Sequence, residues 1–438
     1  MRRLIQTTDN NLSGEPFDAA LHLENLQRLA AKPLCELCLD EHPNLLIFPS
    51  DFETHGDDIG RQHIFALAEG RLKTGNIMGF VGYRGTQVSI RSRFATDDRH
   101  DYFLHYMLQR VFAINLFDLN FNTDTESIFD FLIYLFPSFL KRAMRQGLYK
   151  EYQTRRYNNA NVRGRIDVGR HIRQNTPFAG QVAYATREYA TDNHLTQLVR
   201  HAIEYIACHP FCGNILNNDE ETQDAVSTIR QATPTYNRNA RRQVISQNLR
   251  PVRHPYFSEY CNLQHLCLQI LRHEEMKYGR DDDQIYGILF DGAWLWEEYL
   301  NTILHDCGFL HPRNKTGQGR KYLFTDNTGW YYPDFYNERI VLDAKYKGYA
   351  DWSNVQNADL FQLITYMHVL NVPAGCFIVP VEWAGHRLPL KKLKGIGGRV
   401  FIEGMCIPHG VPSYHQFVHQ IHLTETQLNN SIEVLSSL

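Results

Sequence analysis

The chain has 438 residues, long enough for two or three domains and a sizeable core, with the composition of a soluble globular protein. Its 45 Lys and Arg against 48 Asp and Glu leave a formal charge of −3, which excludes a global basic field. Any contact with nucleic acid must therefore come from local basic patches.

The opening stretch MRRLIQTTDNNLSGEPF is basic but lacks the apolar core of a signal peptide. The most apolar run, Ile128 to Phe136, contains Asp130 and meets Pro137, so no membrane partner is expected and a cytoplasmic location is. Nine cysteines at irregular spacings form no disulfide framework. Cys35-x-x-Cys38 and Cys208-x-x-x-Cys212 could make a zinc site, but reduced cysteines are the simpler reading. Residues 1–120 read as a mixed α+β domain. It has a helix over Ala19 to Ala31 and a strand pair over Gly79 to Phe94 turning at Arg84-Gly85. Arg91 and Arg93 share one face of the second strand, either to touch phosphate or as a solvated edge.

Residues 121–280 read as a mainly helical, arginine-rich middle region. Helices are expected over Tyr102 to Phe117, Ser127 to Gly147, Leu195 to Cys208 and Cys261 to Arg272. Arg155, Arg156, Arg163, Arg165, Arg170 and Arg173, interleaved with Tyr152 and Tyr157, could track a phosphate backbone or form exposed ion pairs. The cluster Arg238, Arg241, Arg242, Arg250 and Arg253 has the same two readings. The charge run Arg280 to Asp283 is a candidate linker into the last domain, 281–438.

In that domain, Ala293 to Leu304 has helical spacing, with Asp291 as N-cap and Trp296, Tyr299, Leu300 and Ile303 as its apolar stripe. Glu297 borders the stripe while Glu298 points further toward water, so Glu297 is the better site candidate; the alternative is a solvated glutamate. Trp330 to Tyr336 and Arg339 to Tyr346 read as strands around a two-residue loop, Asn337-Glu338. Tyr336 then faces Arg339, Asp334 faces Val341, and Asp334, Asp343 and Lys345 share a face, Asp343 being the diagonal neighbour of Asp334. Two carboxylates and an ammonium suit Mg²⁺, which keeps several waters and is often shared with phosphates. The plainer reading is a strand with a surface salt bridge. Asp359 to Leu370 then places Asp359, Gln362 and Tyr366 on one helical face, looking onto this site or buried as core. Cys376 to Val381 and Arg399 to Cys406 read as strands, with Lys391, Lys392 and Lys394 in a loop between them.

Helix with Glu, strand pair with P-D and D-x-K, and helix with Q-x-x-x-Y together resemble the PD-(D/E)XK nuclease superfamily in its RecB-like branch. VGYRGTQVSIRSRF from Val81, VRGRIDV from Val162 and REYATDNHL from Arg187 extend the resemblance to McrC-like nuclease subunits of McrBC-type restriction systems. The resemblance implies an α/β restriction-endonuclease-like domain behind the mixed and helical regions, and Mg²⁺-dependent (or Mn²⁺-dependent) DNA cleavage. It assigns Glu297, Asp334 and Asp343 to metal, Lys345 to the attacking water, and Gln362 and Tyr366 to positioning. It also implies a separate AAA+ partner, usually a GTPase, docked through residues 1 to about 270, and two nuclease copies for a double-strand break. The chain itself has no G-x-x-x-x-G-K-[ST], so no bound nucleotide is expected. A stand-alone RecB-like repair nuclease and a mainly regulatory activator of the motor are the alternatives.

Overall fold

The computed structural model describes residues 3–37, 44–49, 58–95, 101–112, 125–209, 213–217, 219–252, 254–277, 285–312, 319–349, 351–383, 387–395 and 397–437. Cys38, Cys212, Arg253 and the candidate linker 280–283 lie outside these residues. The fold is mixed α/β and divides into two compact units, one of residues 1–128 with 280–438 and the other of 129–279.

The first unit joins the two ends of the chain. Its first sheet runs Arg3–Thr8, Thr86–Arg91, Ile77–Tyr83, Tyr286–Asp291 and Asn44–Phe48 in spatial order. Tyr286–Asp291 thus inserts between two strands from the N-terminal part, antiparallel to one and parallel to the other. Glycines permit the close pairing: a Cβ on Gly79 would stand 2.2 Å from the Ile288 carbonyl oxygen, and one on Gly287 2.2 Å from that of Phe80. The partition at 120 and 280 read from the sequence therefore has its outer two parts in one compact unit, because strand pairing is set by long-range contacts that composition does not encode. Thr86–Arg91 is also an inner strand. Arg93, two residues on, pairs with buried Asp9 at 3.7 Å and lies over the Tyr346 ring at 4.4 Å, so it is neither a solvated edge nor aimed at phosphate.

The second sheet of this unit is ordered Phe335–Tyr336, Ile340–Ala344, Ala374–Val381, Arg399–Cys406, Arg387–Lys392. The three inner strands are parallel and both edges antiparallel. Lys391 and Lys392, expected in a loop, belong to the edge strand, which has a register shift between Leu388 and Lys391. Helix Asn357–Leu370 makes the crossover between the first two parallel strands. Its Leu363, Tyr366 and Met367 pack on Val341, Phe377, Val379, Val400 and Ile402. Helix Gly292–Leu304, capped by Asp291 accepting from Trp294 N at 2.8 Å, buries the expected Trp296, Tyr299, Leu300 and Ile303. Tyr106 and Tyr299 both donate to buried Glu425, at 2.9 and 2.8 Å, fastening helices Tyr102–Phe112 and Gly292–Leu304 to the final helix, Tyr414–Ser437.

The second unit packs helix Thr125–Arg145 from residue 129 onward and helices His194–Ala207, Glu220–Ala232 and Glu259–Lys277 with a three-stranded sheet. That sheet, Glu151–Asn159 against Val182–Ala190 against Arg165–Ile166, carries the first arginine cluster.

Candidate active site

The strand before the site differs from the expected hairpin in two ways. Trp330–Tyr331 pairs with Lys321–Tyr322 in a separate two-stranded sheet, and Pro333, which lacks an N–H for ladder pairing, separates it from Phe335–Tyr336. The turn is also longer than two residues. Tyr336 pairs with Val341 and Phe335 with Leu342, so residues 337–339 join the two strands, and Asn337 N still donates to the Ile340 carbonyl at 3.1 Å. Asn337 Oδ1 accepts from the backbone N–H of Arg339 (2.8 Å) and Ile340 (3.0 Å), a local turn that replaces the positive-φ geometry Glu338 would have needed. The register is offset by two residues from the expected one. An even offset keeps every side chain on its face, so Asp334 moves from diagonal to directly opposite Asp343 along the continued ladder.

Asp343 is fully buried, on the same sheet face as Val341 and beneath helix Asn357–Leu370. Its Oδ2 lies 2.8 Å from Lys345 Nζ, and its Oδ1 has no hydrogen-bond partner among the described residues. Asp334 Oδ2 accepts from Ala344 N at 2.7 Å, which holds that carboxylate against the strand bearing Asp343 and Lys345. Lys345 Nζ is 3.4 Å from Gln362 Oε1; Gln362 Nε2 donates to Tyr366 OH (2.8 Å), which donates to the Tyr332 carbonyl (3.2 Å). Asp359, one turn before Gln362, accepts from Lys347 (2.9 Å) and Tyr349 (2.7 Å) and lies 3.8 Å from Lys345.

These contacts set the charges. Burial, and then the charge of Asp334, hold the Asp343 carboxyl well above the ordinary carboxylate range, while Lys345 pulls it back. Burial disfavours the Lys345 ammonium, but Asp343 and Asp334 outweigh it and raise its pKa, so the ammonium persists at neutral pH. Burial also opposes ionisation of Asp359, yet Tyr349, Lys347 and the Lys345 charge hold its carboxyl below the usual range.

Glu297 joins the site from the other helix through a residue that the sequence did not single out. His311 Nδ1 is 2.7 Å from the Asp334 carbonyl oxygen, which can only accept, so Nδ1 carries the proton. Its Nε2 is 3.9 Å from Glu297 and 4.0 Å from Glu298, and its ring stacks on Phe335 at 4.8 Å. Burial disfavours the imidazolium, but Glu298 and then Asp334 favour it, and the net shift is upward. The Glu297 side chain is less exposed than that of Glu298, as the helical phase predicts, yet both reach His311. A lone histidine more than twenty residues before Asp334 carries no spacing signal. Lys347 and Tyr349 do, because they continue the alternation of Asp343 and Lys345.

A model of the family described as "McrBC 5-methylcytosine restriction system component" matches residues 72–380, spanning the strand pair, the arginine-rich region and the site above. The chain belongs to this family. The likeness to McrC-like subunits read from its motifs is thereby borne out. Two solved structures are similar. One is a refined half-complex from a tetradecameric assembly of Thermococcus gammatolerans McrB AAA+ hexamers with bound McrC, 14% identical with TM-score 0.48, covering 98% of this chain and 100% of that one. The other is the cryo-EM structure of the Thermococcus gammatolerans McrBC complex, 13% identical with TM-score 0.31, covering 69% and 87%. No curated protein matches the chain. Among the described residues of this McrBC-family member, no helix is long and apolar enough to cross a membrane.

Proposed function

We propose that this McrBC-family chain is the DNA-cleaving subunit of its restriction system, a PD-(D/E)XK nuclease that hydrolyses phosphodiester bonds with Mg²⁺ in the cytoplasm. The observation that carries the reading is the linked run Asp343–Lys345–Gln362–Tyr366, buried at its two ends and half-buried between them, with Asp334 fastened beside it. An orphaned, fully buried Asp343 Oδ1 fits a cation, since a buried carboxylate oxygen without a partner is costly. Among the described residues no three His, Cys, Asp or Glu side chains could hold an ion by themselves. Two carboxylates with water and substrate phosphate completing the shell is the arrangement Mg²⁺ tolerates best. Asp334 and Asp343 would hold it, with Glu297 reaching it through a bound water.

Such an ion, when bound, polarises the phosphate and acidifies water. Lys345, kept as an ammonium, cannot serve as a base. It donates a hydrogen bond that orients the attacking water and offsets charge developing on the phosphate. Gln362 fixes the lysine, and Tyr366 fixes Gln362 from the far side. His311 orients Asp334 through its backbone and holds the glutamate helix to the hairpin.

Recognition and power are assigned to a separate AAA+ motor, which the chain engages through residues 1 to about 270, and two copies of the chain make a double-strand break. Support for a contact surface in that region comes from the arginine-rich sheet and the helix Val168–Gln174 beside it, where Val168, Ile172 and Phe178 are 62%, 59% and 67% exposed. The test is cleavage and motor triphosphatase activity with Asp343→Ala. Cleavage should disappear while stimulation of the motor remains; wild-type cleavage by the variant would refute the site. Removal of the N-terminal region is not a clean test of docking, because it would strip both neighbours from strand Tyr286–Asp291.

A further inference from the structure

We propose that the hairpin 319–332 is a DNA-engaging element, whose exposed aromatic side chains stack on bases of the strand being cut. The inference rests on the nuclease reading above and adds to it a contact outside the carboxylate site.

The hairpin leaves the catalytic sheet at Pro333 and pairs Tyr322 with Trp330 and Lys321 with Tyr331. Alternation along it is clean: Tyr331 turns inward and stacks on Tyr366 at 5.1 Å and 18°, while Trp330 turns outward. Phe324 is 62% exposed, Trp330 47%, and Leu323 and Tyr322 are also exposed. A soluble chain that leaves four large apolar groups together on one small element has a partner for them.

The tip is built to hold its shape. Leu323 N donates to the Gly329 carbonyl at 2.8 Å, and Asn327 N to that of Phe324 at 3.1 Å. Asp326 Oδ1 accepts from Thr328 N and Oγ1 at 3.1 and 2.6 Å. Gly329 has φ +65°, and a Cβ there would meet the Phe324 ring at 3.1 Å, so the ring lies directly over the backbone of the turn. Pre-set aromatic rings lose little conformational entropy when a base stacks on them.

Position and charge select nucleic acid as the occupant. Trp330 is four residues from Asp334, at most about 14 Å along an extended chain, or roughly four base-pair steps of about 3.4 Å. A strand whose phosphate sits at Asp334 and Asp343 is therefore within reach of this element. Arg320 and Lys321 stand at its base, Arg320 bonded to Tyr332 OH at 3.0 Å and lying over Trp330 at 5.6 Å, Lys321 over Tyr336 at 4.9 Å. The one acid of the tip, Asp326, is turned into Thr328. The hairpin is tied to the catalytic helix as well, since Tyr366 both stacks on Tyr331 and donates to the Tyr332 carbonyl.

The experiment uses the full-length chain, alone and with the motor, and a fluorescent DNA with an unpaired stretch in the cut strand, in the presence of chelator to stop cleavage. Phe324→Ala should weaken DNA binding about tenfold, within the range of one lost base–aromatic stack. Phe324→Tyr should keep wild-type affinity, as should Leu423→Ala, another open apolar position on the final helix. Motor stimulation and self-association should not change. Unchanged DNA affinity in Phe324→Ala, or a loss of motor stimulation or of self-association in its place, would overturn the proposal in favour of a protein contact. If the wild type still cuts DNA in an Asp343-dependent way in that case, the nuclease reading stands alone. A wild-type complex that neither binds nor cuts DNA would remove both.

Discussion

The sheet that carries the candidate site and the arginine-rich sheet use polar and apolar groups in opposite ways. The first buries charge: Asp343 is fully enclosed, with Lys345 beside it and Asp359 facing Lys345 from the first turn of the covering helix. The second exposes apolar side chains among its arginines, and no residue of helix Val168–Gln174 is buried. Some of its charges are already committed, Arg155 to Glu188 at 3.7 Å and Arg170 to the Tyr184 carbonyl at 3.0 Å. Buried charge is costly unless it is paired or used, whereas exposed apolar surface costs little in the isolated chain and is recovered on contact. On the function proposed above, the first pattern serves chemistry and the second recognition.

The comparison is broken most decisively at the site itself. Lys345→Ala should lower cleavage by about a hundredfold to a thousandfold, as expected when a charge donor to the transition state is lost, and kcat measured with saturating DNA reads it. Ile172→Asp in the arginine-rich unit should do the reverse: motor stimulation falls severalfold or more, while the unfolding free energy stays within about 0.5 kcal/mol of wild type because the position is open. A cleavage defect with intact stimulation in that variant would show that the exposed face does not engage the motor.

Smaller effects sharpen it. His311→Ala should reduce cleavage about tenfold to a hundredfold, the range for a residue that supports a metal ligand, and should exceed either Glu297→Gln or Glu298→Gln. His311→Asn, which can still donate to the Asp334 carbonyl, should recover part of the loss. If Glu297→Gln alone equals His311→Ala, the histidine acts only through that glutamate. The least effect concerns acid stability of the helical unit. Burial, then Arg241 and Arg200, lower the His201 pKa from 6.5 to about 4, and its buried Nε2 has no hydrogen-bond partner. The unfolded chain then binds the extra proton, so this histidine contributes stability above about pH 6.5 that is lost as pH falls toward 4, up to about 3 kcal/mol in total. His201→Phe should flatten unfolding free energy over that window; an unchanged slope would mean another group is responsible.

Local chemistry made much of the site legible in the sequence. The Asp291 cap and the apolar stripe of its helix follow from 3.6-residue spacing, and the shared face of Asp334, Asp343 and Lys345 follows from strand alternation, which survives an even register offset. Their four-residue spacing puts Gln362 and Tyr366 on one helical face whatever that face meets. Tertiary structure alone decided what lies across from these elements: that His311 bridges Asp334 to the glutamate helix, that Arg93 is spent on Asp9 and Tyr346, and that Tyr286–Asp291 completes a sheet begun almost 300 residues earlier. Periodicity records which side of an element is apolar. It cannot record the partner, because the partner is chosen by packing between segments far apart in the chain, and no local pattern of residues carries that information.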